Sequence, residues 1–429
     1  VSQDIDIPLI DLRGQKLSPA QYKLVIPRAG LDVAHALLAI EPILERVKQG
    51  DAGTLRALGL EFDGVEPLHI RVPREEIDRA LREIDPQIRV ALEISIGRIR
   101  IVHEAQARKT EKTQVVPGAY VTQKWIPVDR VGLYVPGGKA VYPSSVMMNV
   151  VPAQIARVPS IAVASPPQPE FGGLPHPTIL ATCALLGIYE VYAVGGAQAI
   201  AMFAYGVADL CDPVDLVTGP GNIYVAAAKR ALRGIIAIDS EAGPTEIGIL
   251  ADESAIAGEV AADLISQAEH DVSAAAVLVT TSTKLASDVR SELTRRVAIT
   301  RHKARITAAL TGAQSAIVLV DNIKQGIDVM NGYAAEHLEL HVKEVEAVAS
   351  EIRNAGAVFM GRFAPVSLGD YCACHSSGLS VQTFLKGVNF IEYDATAFGD
   401  IAATVITLAR AENLPAHGEA ISARFEEKI

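Results

Sequence analysis

VGLYV (131–135), SIAVASP (160–166), EVYAVGG (190–196), VDLVT (214–218) and IIAID (235–239) are the runs that decide the fold. Each is short and rich in β-branched residues. Between them lie PSSVMMNVVPAQIA (143–156), HPTILATCALLGI (176–188), AQAIAMFAYG (197–206) and GNIYVAAAKRAL (221–232), all suited to helices. Strand followed by crossover helix, repeated along one stretch, predicts a parallel, doubly wound sheet. This first α/β lobe spans 130–243.

The alternation restarts after SEAGPT (240–245). EIGILAD (246–252), AAAVLVTTS (274–282), SAIVLVD (315–321), HLELHV (337–342) and AVFMG (357–361) read as strands separated by helical segments, including 255–271, 323–334 and 345–356. A second Rossmann-like lobe, 244–378, is expected; the restart suggests an old duplication of the first, although no sequence repeat carries that idea. Residues 1–129 read mainly as helices, with LDVAHALLAIEPILERVKQ (31–49) and EEIDRALREIDPQIRVALEISIGRIRIVHEAQ (75–106) at helical period. The later part of that region is expected to pack with the second lobe, and TQVVPGAYVTQKWIPV (113–128) alternates like strands. Residues 379–429 read as a small helical tail whose last helix, IAATVITLARAENL (401–414), stops at Pro415.

Of the 429 residues, 49% are hydrophobic and 21% charged, which suits buried cores rather than a disordered chain. A formal net charge of -11 argues against a phosphate-backbone partner, and 5% aromatic residues leave few platforms for base stacking. The uncharged stretch from Val191 to Ala208 is broken by glycines and Gln198, so it reads as strand, turn and helix and no membrane partner is expected. The opening VSQDIDIPLIDLRG shows no secretory signal, and the expected location is the cytoplasm. Four cysteines, Cys183, Cys211, Cys372 and Cys374, are too few and too scattered for a disulfide framework. Cys372 and Cys374 form a CxC, more ordinarily a pair of reduced thiols than a metal site.

Three groups of residues carry candidate chemistry. In SQAEHD (266–271), Gln267 and His270 stand one helical turn apart and offer an amide oxygen and an imidazole nitrogen to a metal, although such a pair near a helix end more often faces water. In YAAEHL (333–338), Glu336 and His337 place a carboxylate beside an imidazole, a pair suited to proton transfer near neutral pH and more often merely solvated. VPGG (135–138) and TGPGN (218–222) follow strands and open helices, where backbone amides suit a cofactor phosphate; neither is GxGxxG, and tight turns alone would explain them. Asp370 in SLGDY (367–371) and His417 in LPAHGEA (414–420) read, by themselves, as a turn residue and a solvated tail histidine.

Taken together and in order, VGLYVPGGKAVYPSSVMMNVVPAQIA, VGGAQAIA, TGPGNIYVAAAKR, EAGPTEIGILAD, SQAEHD, YAAEHL, SLGDY and LPAHGEA resemble the histidinol dehydrogenase family along nearly the whole chain. The resemblance implies oxidation of L-histidinol to L-histidine through an aldehyde-level intermediate, with two NAD. It implies zinc held by Gln267, His270, Asp370 and His417, and Glu336 with His337 as the catalytic pair. It implies NAD contacts at Tyr134, Gln198 and Asn222. Substrate contacts would be Thr245, Gln267, His270, His337, Asp370, Glu412 and His417. A homodimer with shared active sites is implied as well, His417 being supplied by the partner chain.

The sequence departs from the family pattern in one place. After GDY a segment resembling GSNHVLPT is expected, whereas here CHSSGLSVQT (374–383) follows almost at once. The alternative readings are a zinc-free NAD dehydrogenase of another small polar diol, a zinc hydrolase in which Glu336 activates water, and a catalytically dead binding protein.

Overall fold

The computed structural model describes residues 5–26, 28, 33–137, 141–240, 245–371 and 379–425. In chain order the N-terminal region holds β1 (Leu9–Asp11), α1 (Pro19–Val25), α2 (Val33–Gln49), α3 (Ala52–Asp63), α4 (Arg74–Glu83), α5 (Pro86–Gln106), β2 (Glu111–Val116) and β3 (Ala119–Pro127). The first lobe follows as β4 (Arg130–Tyr134), α6 (Pro143–Ile155), β5 (Ser160–Ser165), α7 (Pro177–Leu185), β6 (Val191–Ala193), α8 (Gly196–Tyr205), β7 (Leu216–Thr218), α9 (Ile223–Leu232) and β8 (Ala237–Ile238). The second comprises β9 (Glu246–Ala251), α10 (Ala257–Ala268), β10 (Ala275–Thr280), α11 (Thr283–Val297), α12 (Lys303–Thr311), β11 (Ala316–Leu319), α13 (Ile323–Tyr333), β12 (His337–His341), α14 (Val345–Glu351), β13 (Ala357–Met360) and α15 (Ser367–Tyr371). The tail carries β14 (Leu385–Tyr393), α16 (Ala395–Ala411) and α17 (Pro415–Ser422).

Both lobes are parallel sheets, as the strand-helix alternation predicts. The first runs β6-β5-β4-β7-β8, and within the second β11-β10-β9-β12-β13 repeats the same order, with β1 added at its edge. Counted along the chain, each lobe is therefore 3-2-1-4-5, a doubly wound order of five strands. The shared order supports the suspected duplication on topology, where the sequence alone carried no repeat. In the first lobe the order reverses between β4 and β7, which opens a crevice at their carboxyl ends. Gly219, just past β7, has φ 115°, and a Cβ there would lie 2.0 Å from the Tyr134 carbonyl oxygen. Only glycine permits that approach of the two strand ends.

Three expectations about the flanking regions require correction. The early part of the N-terminal region joins the second lobe, since β1 pairs with β11 and α1 packs on α13. Its later helices cover the first lobe instead, α2 against α8 and α9, α4 against α7, and α5 against α6. The long helical pattern at 75–106 also breaks into α4 and α5, because Asp85 accepts from the amides of Gln87 and Ile88 and Pro86 opens the new helix. The tail is not wholly helical: β14 pairs antiparallel with β3, which pairs in turn with β2, making a three-stranded sheet. The alternating LKGVNFIEY of β14 was legible only once its partner β3 was known, because both of its faces are largely exposed. No helix among the described residues is long and apolar enough to cross a membrane.

In the second lobe, β12 shows a split that shapes the site. Leu338 and Leu340 enter the core under α13, while His337, Glu339 and His341 point to the opposite face, in register with Ile247, Ile249 and Ala251 of β9. That face is covered by α10, whose Val260, Ala261 and Leu264 share a core with those β9 residues.

Candidate active site

Neighbouring strands bring the first two groups together. Ile247 of β9 lies opposite His337 of β12, so Thr245 and Glu336, just before each strand, meet at the amino ends of the sheet. The Thr245 hydroxyl donates to Glu336 Oε2 at 2.7 Å. From the last turn of α10, the buried Gln267 amide Nε2 donates to the Thr245 hydroxyl oxygen at 2.6 Å. An ionised carboxylate only accepts, so the one hydroxyl proton goes to Glu336 and Thr245 must accept from Gln267. The amide orientation follows from this network, and Gln267 keeps Oε1 for another partner.

Around this chain of bonds stand the other second-lobe candidates. α10 ends at Ala268, so exposed His270 lies in the turn beyond it, its backbone N–H donating to the Gln267 carbonyl at 3.2 Å. Asp370 comes from α15. Burial pushes its carboxyl up, the charge of His270 opposes that and the charge of Glu336 adds to it, so the three groups share one electrostatic neighbourhood. His337 is the first residue of β12, buried on the α10 face with its ring 6.0 Å from that of Phe359. The first lobe reaches this point through Tyr142, the N-cap of α6, which feels Arg305, Asp271, Tyr371 and Asp370; burial raises its phenol above the ordinary value. α6 packs against α15. The second-lobe cluster thus lies where the first lobe meets the amino ends of the second.

His417 and Glu412 stand elsewhere in the chain. Both are exposed, α17 packs on α16, and no hydrogen bond among the described residues joins either to Thr245, Gln267 or Asp370. The CxC of Cys372 and Cys374, His375 and most of the shortened segment after GDY fall outside the described residues, as does Gly138 of VPGG. Cys183 and Cys211 are buried free thiols.

At the first-lobe switch point, Tyr134 ends β4, and burial pushes its phenol up to about 12. Its hydroxyl accepts from the Gly196 amide at 3.0 Å. Buried Gln198 occupies the first turn of α8. Asn222 caps α9, its Oδ1 accepting from the amides of Tyr224 and Val225 at 3.0 and 3.1 Å. Beneath the TGPGN turn, buried Lys229 donates to Asp239 at 2.7 Å and to the Gly219 carbonyl, while Asp239 accepts from the Gly219 amide at 2.9 Å. The turn is rigidly braced, and its open side faces the crevice between β4 and β7.

A further cluster escaped the sequence reading. His341 Nε2 lies 3.2 Å from Glu339 Oε2 and 3.7 Å from Asp263 Oδ2, and these donor atoms all fall within 4.8 Å of one another, close enough to hold a metal ion. Glu339 is fully buried, and its other oxygen accepts from the Val366 amide at 2.6 Å. Burial, and then the charge of Glu339, raise Asp263 to about 7. Burial alone would lower His341, but its hydrogen bond to Glu339 and the two carboxylates outweigh that and raise it. These shifts describe a group of residues sharing protons. The available signal was polar residues at every second position of HLELH inside an otherwise apolar strand.

Comparison with known proteins identifies the family. A family model described as histidinol dehydrogenase matches residues 26–425. The histidinol dehydrogenase of Thermobifida fusca (strain YX) is 61% identical over 431 residues, covering 98% of each chain. That of Nocardia farcinica (strain IFM 10152) is 57% identical over 438 residues, again covering 98% of each. The crystal structure of histidinol dehydrogenase from Elizabethkingia anophelis superposes with a TM-score of 0.90 at 30% identity, covering 98% of each chain. The chain belongs to the histidinol dehydrogenase family, the NAD-linked, zinc-using oxidoreductases of histidine biosynthesis.

Proposed function

We propose that the reacting centre for L-histidinol is the cluster built on Thr245, Gln267 and Glu336, with His270, His337 and Asp370 around it. The observation that carries this reading is the Thr245 hydroxyl bonded on one side to Gln267 and on the other to Glu336. It holds a carboxylate in place at the mouth of β12 and turns an amide oxygen toward a ligand.

The residues fit zinc. Gln267 Oε1, the His270 imidazole and the Asp370 carboxylate form an N/O donor set, and the burial that raises Asp370 is relieved by a neighbouring cation. When bound, zinc supplies a Lewis acid that fixes the nitrogen donors of the substrate, and NAD accepts one hydride at each oxidation. His337 takes the hydroxyl proton in the first oxidation. Glu336, steadied by Thr245, draws the proton from the water that adds at the aldehyde level, which prepares the second oxidation. Tyr134, Gln198 and Asn222 would hold NAD along the first-lobe crevice.

The fourth donor, His417, and the substrate contact Glu412 come from a second copy of the chain. An exposed stripe on α5, Val90, Ile94 and Ile101, together with Ile391 on β14 and Leu408 on α16, supplies an apolar surface for that copy. The enzyme works in the cytoplasm, where the NAD pool and the rest of amino-acid synthesis lie. Following NADH formation from L-histidinol before chelation, after it and after zinc is restored tests the reading. Loss and recovery of turnover support it, and indifference to chelation refutes it.

A further inference from the structure

One charged side chain at the first-lobe crevice has no structural explanation. Asp63 is the last residue of α3, where a carboxylate meets the negative end of the helix, and the last turn of α3 contains no basic residue. Its Oδ2 is buried without a hydrogen-bond partner. Burial accordingly pushes its carboxyl up to about 6. Asp63 stands beside the amino end of α8, since its Oδ1 would lie 3.0 Å from a Cβ added at Gly195, the N-cap of α8. The same imaginary Cβ would meet Pro166, past the end of β5, at 2.9 Å. Asp63 therefore lies at the carboxyl ends of β5 and β6, close enough to Tyr134 for its charge to act on the phenol.

Resting on the placement of NAD in this crevice, we infer that Asp63 binds the vicinal hydroxyls of a ribose of NAD through its buried, unpartnered carboxylate. Three features converge on that chemistry. A buried acceptor without a donor is costly unless a ligand supplies one. A ribose diol supplies two hydroxyl donors and no negative charge, whereas a phosphate would be repelled. The position, at strand carboxyl ends beside a glycine turn opening a helix, is where doubly wound folds hold a dinucleotide and use an acidic side chain on its ribose. Asp63 comes from α3, outside the strand-helix unit that a sequence reader would search.

The test measures NAD affinity and steady-state kinetics of the full-length zinc enzyme for native protein, Asp63→Ala, Asp63→Asn and Gln198→Ala. Probes are NAD, NAD lacking the adenosine 2′-hydroxyl, and NAD lacking the nicotinamide-riboside 2′-hydroxyl. We expect Asp63→Ala to raise the KM for NAD about 10- to 100-fold, Asp63→Asn to raise it less, and the KM for L-histidinol to stay unchanged. The native enzyme should discriminate against one deoxy analogue, which identifies the ribose, and Asp63→Ala should lose that discrimination. If Gln198→Ala weakens NAD while both Asp63 variants bind it normally, the Asp63 inference falls and the crevice stands. If Gln198→Ala leaves NAD binding intact as well, the crevice assignment itself falls. Should Asp63→Ala not fold, Asp63→Asn with the analogue pair decides, and equal binding of NAD and both analogues by native enzyme overturns the inference.

Discussion

The Thr245 hydroxyl accepts from Gln267 at 2.6 Å and donates to Glu336 at 2.7 Å, so one hydroxyl orients both a metal-ligand candidate and the carboxylate proposed for catalysis. Thr245→Val keeps the shape and removes the hydroxyl. It should lower kcat about 10- to 100-fold through misplacement of both neighbours, and destabilise the fold by about 1–3 kcal/mol through the two orphaned groups. Thr245→Ser should restore most of the activity. Steady-state kinetics and thermal unfolding of the pair check this, and a fully active valine variant would refute the relay.

Glu336 and His337 are assigned different steps, and the assignments separate in time. Glu336→Gln should allow the first hydride transfer and slow the hydration-dependent second one. A stopped-flow trace should then show a burst approaching one NADH per site with aldehyde accumulating, whereas His337→Asn should slow the burst itself. Equal burst phases in the two variants would remove the division of labour.

The proposed completion of the site by a second chain makes complementation a test. Glu336→Gln and His417→Ala should each be inactive alone. Mixed, unfolded and refolded together, half of the dimers are hybrids, each with one intact site, so activity should recover to about a quarter of native. A mixture that stays inactive although hybrids form would place His417 on its own chain.

How much of this was legible beforehand differs by region. The two parallel lobes followed from β-branched runs alternating with helices, because buried parallel strands are locally apolar and their crossovers locally helical. β14 was missed because its exposed alternation has no apolar face to reveal it. Gln267, His270, Glu336 and Asp370 were weak singly, since spacing cannot show that β9 and β12 are neighbours; only ordered co-occurrence of motifs made them one site. The strand-end rule alone would also have misled, because it favours carboxyl ends, and the second-lobe cluster lies at amino ends. The zinc-free diol dehydrogenase and hydrolase readings give way to the family match.

The Asp263, Glu339 and His341 group should be visible in pH-dependent stability. Asp263 and His341 both bind protons more tightly in the folded chain. Their stabilisation is complete below the unfolded pKa of each and is lost as pH rises through the folded one. For Asp263 the loss begins near its ordinary value of 3.8 and is complete just above about 7, and His341, also raised above its ordinary value, adds to it. The unfolding temperature should therefore fall from about pH 4 to about pH 7, and Asp263→Asn should flatten the decline. An identical slope in that variant would dismiss the cluster as its source.

Two donor sets in the second lobe suit a metal, and only one is proposed to hold the zinc. Zinc content per chain, measured on purified His270→Asn, Asp370→Asn and His341→Asn together with their turnover of L-histidinol, separates them. The first two should lose zinc and turnover while His341→Asn keeps the metal. Zinc retained in the first two and lost from His341→Asn would contradict it and move the metal to Asp263, Glu339 and His341.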